Sequence, residues 1–222
     1  MNISYKYKAV IFDLDGTLLD TLDDLWDSVN HTMDVFSYPK RTRDEVRRFV
    51  GNGVDRLIEL CLPGGADDPY RNEAIAEYRR YYKDHSEIKT KPYDGVVKLI
   101  AKLISDGVKV AVVSNKIHLS TVELCKKYFP EIENVCGERE AEGIRKKPYP
   151  DTVIKSAEDM GVDTDECVYV GDSEVDIETA KNAGMDCISV LWGFRDREYL
   201  ESMGGTVFAC DADELYEAIK AD

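Results

Sequence analysis

A chain of 222 residues, 43% hydrophobic and 33% charged, has ordinary globular composition and room for one full core plus an inserted module. Its 44 acidic and 29 basic residues leave a net charge of −15, which excludes the basic footprint of a general nucleic-acid binder and argues against docking on an anionic membrane. No run approaches the ~20 apolar residues of a membrane span.

The first apolar run, Lys8 to Phe12, reads as a buried strand ending in Asp13-Leu14-Asp15-Gly16-Thr17. It is too short for the apolar region of a signal peptide and stops at an aspartate, so a cytoplasmic protein is expected. From Leu22 to Glu87 no strand is predicted. Leu22, Leu25, Trp26, Val29 and Met33 recur at helical spacing, followed by Val46, Phe49 and Val50, then Leu57, Ile58 and Cys61, then a tyrosine-rich stretch from Tyr70 to Tyr82. Pro63-Gly64-Gly65 and Pro69 mark a loop between helices, and Pro92 closes the insert.

The α/β rhythm then resumes. Val96 to Ile104 carries an apolar helical face stopped by Gly107. Val108 to Val113 is a second strand, ending in Ser114-Asn115-Lys116. Helices are predicted over Thr152 to Met160, stopped by Gly161, and Ile177 to Ala183, stopped by Gly184. Between and after them lie strands at Cys167 to Val170, Cys187 to Leu191 and Thr206 to Ala209. Alternation of this kind implies a parallel sheet covered on both faces by helices, here with an all-helical insert. The six cysteines show no CxxC spacing and no accompanying histidine cluster, and are expected to be reduced thiols.

Polar residues collect where the strands end. Asp13 and Asp15 follow the first, Ser114 and Asn115 the second, and Gly171-Asp172, with Asp176 four residues on, the third; Lys146-Lys147 precedes Pro148. Ligands of open parallel sheets bind outside the carboxyl ends of the strands, so these groups can share one crevice. Carboxylates suit a hard cation such as Mg²⁺, whereas serine, asparagine and lysine suit phosphate oxygens; zinc is not expected. Two carboxylates one residue apart can divide labour, one attacking phosphorus and the other moving a proton. Trp192-Gly193-Phe194, after the fourth strand, is a candidate wall of the crevice or a packing segment.

Together, DLDGT at Asp13–Thr17, Ser114-Asn115, Lys147-Pro148 and GDSEVD at Gly171–Asp176 resemble the haloacid dehalogenase superfamily of phosphatases, over essentially the whole chain. The resemblance implies a Rossmann-like core, residues 1–18 and 90–222, with a helical cap, residues 19–89. It implies Asp13 as nucleophile and metal ligand, and Asp15 as general acid/base whose main-chain carbonyl also meets the metal. Thr17, Ser114, Asn115 and Lys147 would hold the phosphoryl group, Lys147 being preferred to Lys146. Asp172 would be the second carboxylate on Mg²⁺, and Asp176 would act through water or by orienting Lys147. Gly51-Asn52-Gly53 with Arg56 resembles the cap loop of phosphoglycolate phosphatases, a candidate substrate loop.

The expected activity is Mg²⁺-dependent hydrolysis of a small phosphorylated metabolite such as phosphoglycolate, through an aspartyl-phosphate. The expected protein is a monomer or homodimer without nucleic-acid or membrane partners. The alternatives are a sugar phosphomutase on the same core, a pyrophosphatase or nucleotidase, or a non-catalytic binding protein.

Overall fold

Four consecutive apolar residues, Ala9–Phe12, form the strand β1. In the computed structural model, which describes residues 5–220, all four side chains are fully buried. A strand hidden on both faces belongs in the middle of a sheet covered on both sides. The chain then passes through β2 (Leu19–Asp20), helices α1 (Leu22–Val35), α2 (Arg43–Phe49), α3 (Val54–Cys61) and α4 (Arg71–His85), and β3 (Lys91–Pro92), which pairs with β2. Strands and helices alternate from there: α5 (Val96–Ser105), β4 (Lys109–Ile117), α6 (His118–Tyr128), β5 (Asn134–Glu138), α7 (Asp151–Met160) and β6 (Cys167–Gly171). The rest is α8 (Glu174–Ala183), β7 (Asp186–Val190), α9 (Arg197–Ser202), β8 (Phe208–Ala209) and α10 (Ala212–Ile219).

The chain divides into two compact units. One runs to Leu19 and resumes at Pro92; the other is Asp20–Lys91. In the first unit the six-stranded sheet has the order β5-β4-β1-β6-β7-β8, and the β1–β4, β1–β6, β4–β5, β6–β7 and β7–β8 pairs are all parallel. In sequence order this is the doubly wound 3-2-1-4-5-6 arrangement, whose direction reverses between β1 and β6. Side chains alternate across the sheet. Val10 and Phe12 join Val110, Val112, Val168 and Val170 on one face, under Leu99, Ile100 and Leu103 of α5 and Leu215 of α10. Ala9 and Ile11 join Ala111, Val113 and Tyr169 on the other, under Val153 and Ala157 of α7 and Ala180 of α8. Burying each large apolar side chain contributes about 1.5–3 kcal/mol.

Three elements of this unit have weak sequence signatures. The strand β5, NVCGE, lies at the sheet edge with only Gly137 fully covered, so it needs no apolar run. The helix α6 turns Ser120, Thr121, Leu124 and Cys125 inward, a half-polar stripe. The strand β8 has only two residues.

In the helical unit, Leu22, Leu25, Val29 and Met33 of α1 are buried, with Val46 of α2, Leu57, Ile58 and Cys61 of α3, and Tyr78 and Tyr82 of α4. Trp26 is half-buried and its indole N–H donates to the Arg41 carbonyl (2.8 Å). The helix α2 starts with a capping box: Glu45 N–H donates to Thr42 Oγ1 (3.2 Å), and Thr42 N–H to Glu45 Oε2 (2.7 Å). The buried Asp24 carboxylate accepts from the Lys89 and Thr90 amides (3.0 and 2.9 Å) and the Thr90 hydroxyl (2.8 Å), fixing the end of this unit. Among the described residues all six cysteines are free thiols, and no helix is long and apolar enough to cross a membrane.

Candidate active site

A tight turn follows β1. The Leu14 carbonyl accepts from the amides of Thr17, Leu18 and Leu19 (3.3, 3.0 and 3.0 Å), which requires a left-handed residue at Gly16 (φ +84°). A Cβ on Gly16 would lie 2.4 Å from Asp172 Oδ2, so this glycine also makes room for a carboxylate from the next strand. Asp13 follows β1 and Asp172 follows β6, the strands between which the sheet order reverses.

Carboxylate oxygens of Asp13, Asp172 and Asp176 lie within 4.8 Å of one another, and all three residues are buried. Lys147, 2% exposed, enters this cluster: its Nζ lies 3.0 Å from Asp13 Oδ1 and donates to Asp176 Oδ1 (2.7 Å) and the Tyr169 hydroxyl (2.9 Å). Asp13 Oδ1 also accepts from the Leu14 amide (2.7 Å). Asp172 accepts from the Thr17 hydroxyl (3.3 Å) and the Phe194 amide (2.7 Å). Asp176 caps the start of α8, taking the Asp172 and Ser173 amides (3.2 and 3.0 Å) on Oδ2 while Oδ1 faces Lys147. It is a helix cap and an ion-pair partner at once.

Burial pushes the Asp13 carboxyl up to about 7; Lys147 opposes this, while Asp176 and Asp15 add to it. Burial, then the carboxylates of Asp176 and Asp13, raise Asp172 well above the usual range. For Lys147 burial disfavours the charge, but Asp13 and Asp176 outweigh it and hold the ammonium well above its ordinary value. Three carboxylates against one ammonium leave the buried cluster short of positive charge, and an all-oxygen donor set fits a hard divalent cation.

Asp15 stands apart from this group. Both its carboxylate oxygens accept from Lys116 Nζ (3.0 and 3.3 Å). Ser114 Oγ accepts from the Lys116 amide (3.3 Å). The Asn115 side chain donates to the Lys147 carbonyl and accepts from the Lys147 amide, both at 2.9 Å, fixing the loop that carries the lysine. Lys146 pairs with Glu140 (3.0 Å) instead of entering the cluster. In the helical unit Gly51 (φ +130°) and Gly53 (φ +83°) flank Asn52 ahead of α3, and Arg56 pairs with Glu59 (3.3 Å).

Sequence reasoning passed over Tyr169, Lys116 as a partner of Asp15, and the amide after Gly193. Tyr169 sits inside an apolar strand and reads as core; its hydroxyl donates to the Val113 carbonyl (2.9 Å) while accepting from Lys147. Trp192 donates to the Thr17 carbonyl (2.9 Å), binding that segment to the turn after β1.

Residues 10–190 match the family described as haloacid dehalogenase-like hydrolases. This chain belongs to that family. The phosphoglycolate phosphatase of Aquifex aeolicus is 34% identical over 196 residues, covering 84% of this chain and 86% of that protein. The phosphoglycolate phosphatase of Neisseria meningitidis serogroup A is 32% identical over 216 residues, covering 93% and 90%. A crystal structure from Lactobacillus delbrueckii subsp. bulgaricus superposes with a TM-score of 0.89 at 37% identity, covering 97% of this chain and 99% of that one.

In this haloacid dehalogenase-like hydrolase, Gly193 is a position beside the cluster with no room for a side chain. An added Cβ would lie 2.3 Å from Asp172 Cβ and 2.4 Å from the Gly16 carbonyl oxygen, so backbone must move. Gly193→Ala is expected to cost about 1–3 kcal/mol of stability and to lower kcat by displacing Asp172. Gly143→Ala, at φ +81° with nothing within 4 Å of the new Cβ, carries backbone strain alone and should keep its kcat. Thermal melts and steady-state rates for both variants check this; a wild-type kcat in Gly193→Ala counts against the packing account.

Proposed function

We propose that this chain is a cytoplasmic, magnesium-dependent phosphatase that hydrolyses a small phosphomonoester, phosphoglycolate or a similar metabolite, through an aspartyl-phosphate on Asp13. The observation that carries the reading is the Asp13 carboxylate, 3.0 Å from the buried Lys147 ammonium and grouped with Asp172 and Asp176 where the strand order reverses. The phosphoglycolate phosphatases among its relatives support the substrate class.

Asp13, Asp172 and the main-chain carbonyl of Asp15 would hold Mg²⁺, which when bound offsets charge on the phosphoryl oxygens. Asp13 attacks phosphorus and the ester P–O bond breaks, while Asp15 gives a proton to the leaving oxygen. Asp15 then takes a proton from the water that attacks the aspartyl-phosphate; inorganic phosphate leaves and Asp13 is restored. Lys147 neutralises phosphoryl charge and is oriented by Asp176 and Tyr169. Ser114, Thr17 and the Asn115 amide hold the phosphoryl oxygens. The unit Asp20–Lys91 acts as the cap, and substrate selection is assigned in part to Gly51, Asn52, Gly53 and Arg56.

Phosphate release from an aryl phosphate and from phosphoglycolate, with Mg²⁺ and with chelator, tests the reading. Release that requires the metal is expected. No release from folded protein on either substrate ends the reading, and conversion of a sugar phosphate to its isomer without free phosphate moves it to a mutase.

A further inference from the structure

Lys116 is the second buried lysine at the carboxyl ends of these strands, and the chemistry above gives it no task. Its side chain is 3% exposed, and its Nζ bridges both oxygens of Asp15, itself 13% exposed. The two lysines divide the site. Lys147 serves the side that attacks phosphorus, through Asp13 and Asp176. Lys116 serves the side from which the alcohol departs, because Asp15 is the group that protonates the leaving oxygen.

Asp15 cannot give both oxygens to Lys116 and also serve the ester oxygen. When one carboxylate oxygen turns to the ester at a hydrogen-bond distance of about 3 Å, Lys116 stays within reach of the other, 3.0 or 3.3 Å away. That places a three-donor ammonium within about 6 Å of the ester oxygen, a gap spanned by a short group on the adjoining carbon. A carboxylate there would accept from an ammonium already desolvated, whereas a neutral group would not match its charge. An acidic chain, net −15, repels anions at long range, so a local cation is needed to favour one.

We propose that Lys116 binds an anionic group on the leaving alcohol, so that the enzyme selects phosphoesters carrying a carboxylate on the carbon next to the ester. The inference rests on the phosphatase reading of the same site and adds the residue that recognises the leaving group.

The test compares kcat/KM for 2-phosphoglycolate and 2-hydroxyethyl phosphate, which replaces the carboxylate by a hydroxymethyl group, in wild type, Lys116→Met and Lys116→Arg. A charge-assisted hydrogen bond corresponds to a preference of about ten- to a hundredfold. The wild type should favour phosphoglycolate by that factor. Lys116→Met should lose the preference, mainly through KM for phosphoglycolate, and Lys116→Arg should keep most of it. Equal losses on both substrates, confined to kcat, would show that Lys116 only positions Asp15 and would overturn the proposal. So would a wild type indifferent to the carboxylate that still releases phosphate. Release from neither substrate instead removes the phosphatase reading, and the proposal with it. If Lys116→Met does not fold, the wild type still decides: glycolate should inhibit competitively where ethylene glycol does not, and equal failure of both overturns the proposal.

Discussion

Asp13→Asn is expected to lower metal-dependent phosphate release by about a thousandfold or more, while the folded protein becomes no less stable. Loss of activity follows because an amide does not attack phosphorus. The stability expectation follows from burial, which holds the Asp13 carboxyl at about 7 despite Lys147. An unfolded aspartate titrates near 3.9, so the folded chain binds this proton more tightly than the unfolded one. The contribution of Asp13 to stability is therefore present at low pH and is lost as pH rises through about 7. Asparagine suffers no such loss, and Lys147 keeps Asp176 as a partner at 2.7 Å. In chelator, the Tm of the variant minus that of wild type should grow between about pH 4 and pH 7 and level off above. A difference that shrinks across that range sinks the electrostatic account, and activity surviving in the variant sinks the assignment of the nucleophile.

Lys147→Met should have the largest effect on stability. Taking the ammonium away leaves Asp13, Asp172 and Asp176 buried against one another without it. Removing one partner of a buried ion pair costs about 3–5 kcal/mol, which for a chain of this size corresponds to a Tm lowered by roughly 6–20 °C. The loss should be greatest at alkaline pH, where the carboxylates cannot escape by protonation. Phosphate release should fall by about a hundred- to a thousandfold. Lys147→Arg should recover little, because a planar guanidinium cannot reproduce one Nζ shared among Asp13, Asp176 and Tyr169. A Lys147→Met protein that melts with the wild type in chelator shows that the cluster is not held together by this charge.

Much of the core was legible because its residues report their surroundings directly. Val10, Ile11 and Phe12 form a run short enough to read as a buried strand, and Gly107, Gly161 and Gly184 stop helices as their positions suggest. The strand β5 and the helix α6 were not legible: an edge strand and a half-polar helix need no apolar signature. In the site, Asp13, Asp172, Asp176 and Lys147 could be selected as charged groups placed where strands end, and they meet in one cluster. Tyr169 escaped because a tyrosine within Cys167–Gly171 looks like packing until its hydroxyl has a partner. The Phe194 amide escaped because a main-chain donor leaves no mark in sequence. The Lys116–Asp15 pair escaped because each residue already had a reading of its own, as turn residue and as proton carrier.

The double hydrogen bond between the Asn115 side chain and the main chain of Lys147 has a consequence for how the protein can vary. A side-chain amide that gives to a carbonyl and takes from the same residue's N–H imitates a neighbouring backbone, so Lys147 is anchored as if it were one rung of a sheet. Its position is then set by the end of β4 and not by the residues leading up to it. The stretch from Arg139 to Lys146, exposed at Glu140–Gly143 and Arg145, can then lengthen, shorten or change composition from one descendant to another while the ammonium stays where it is.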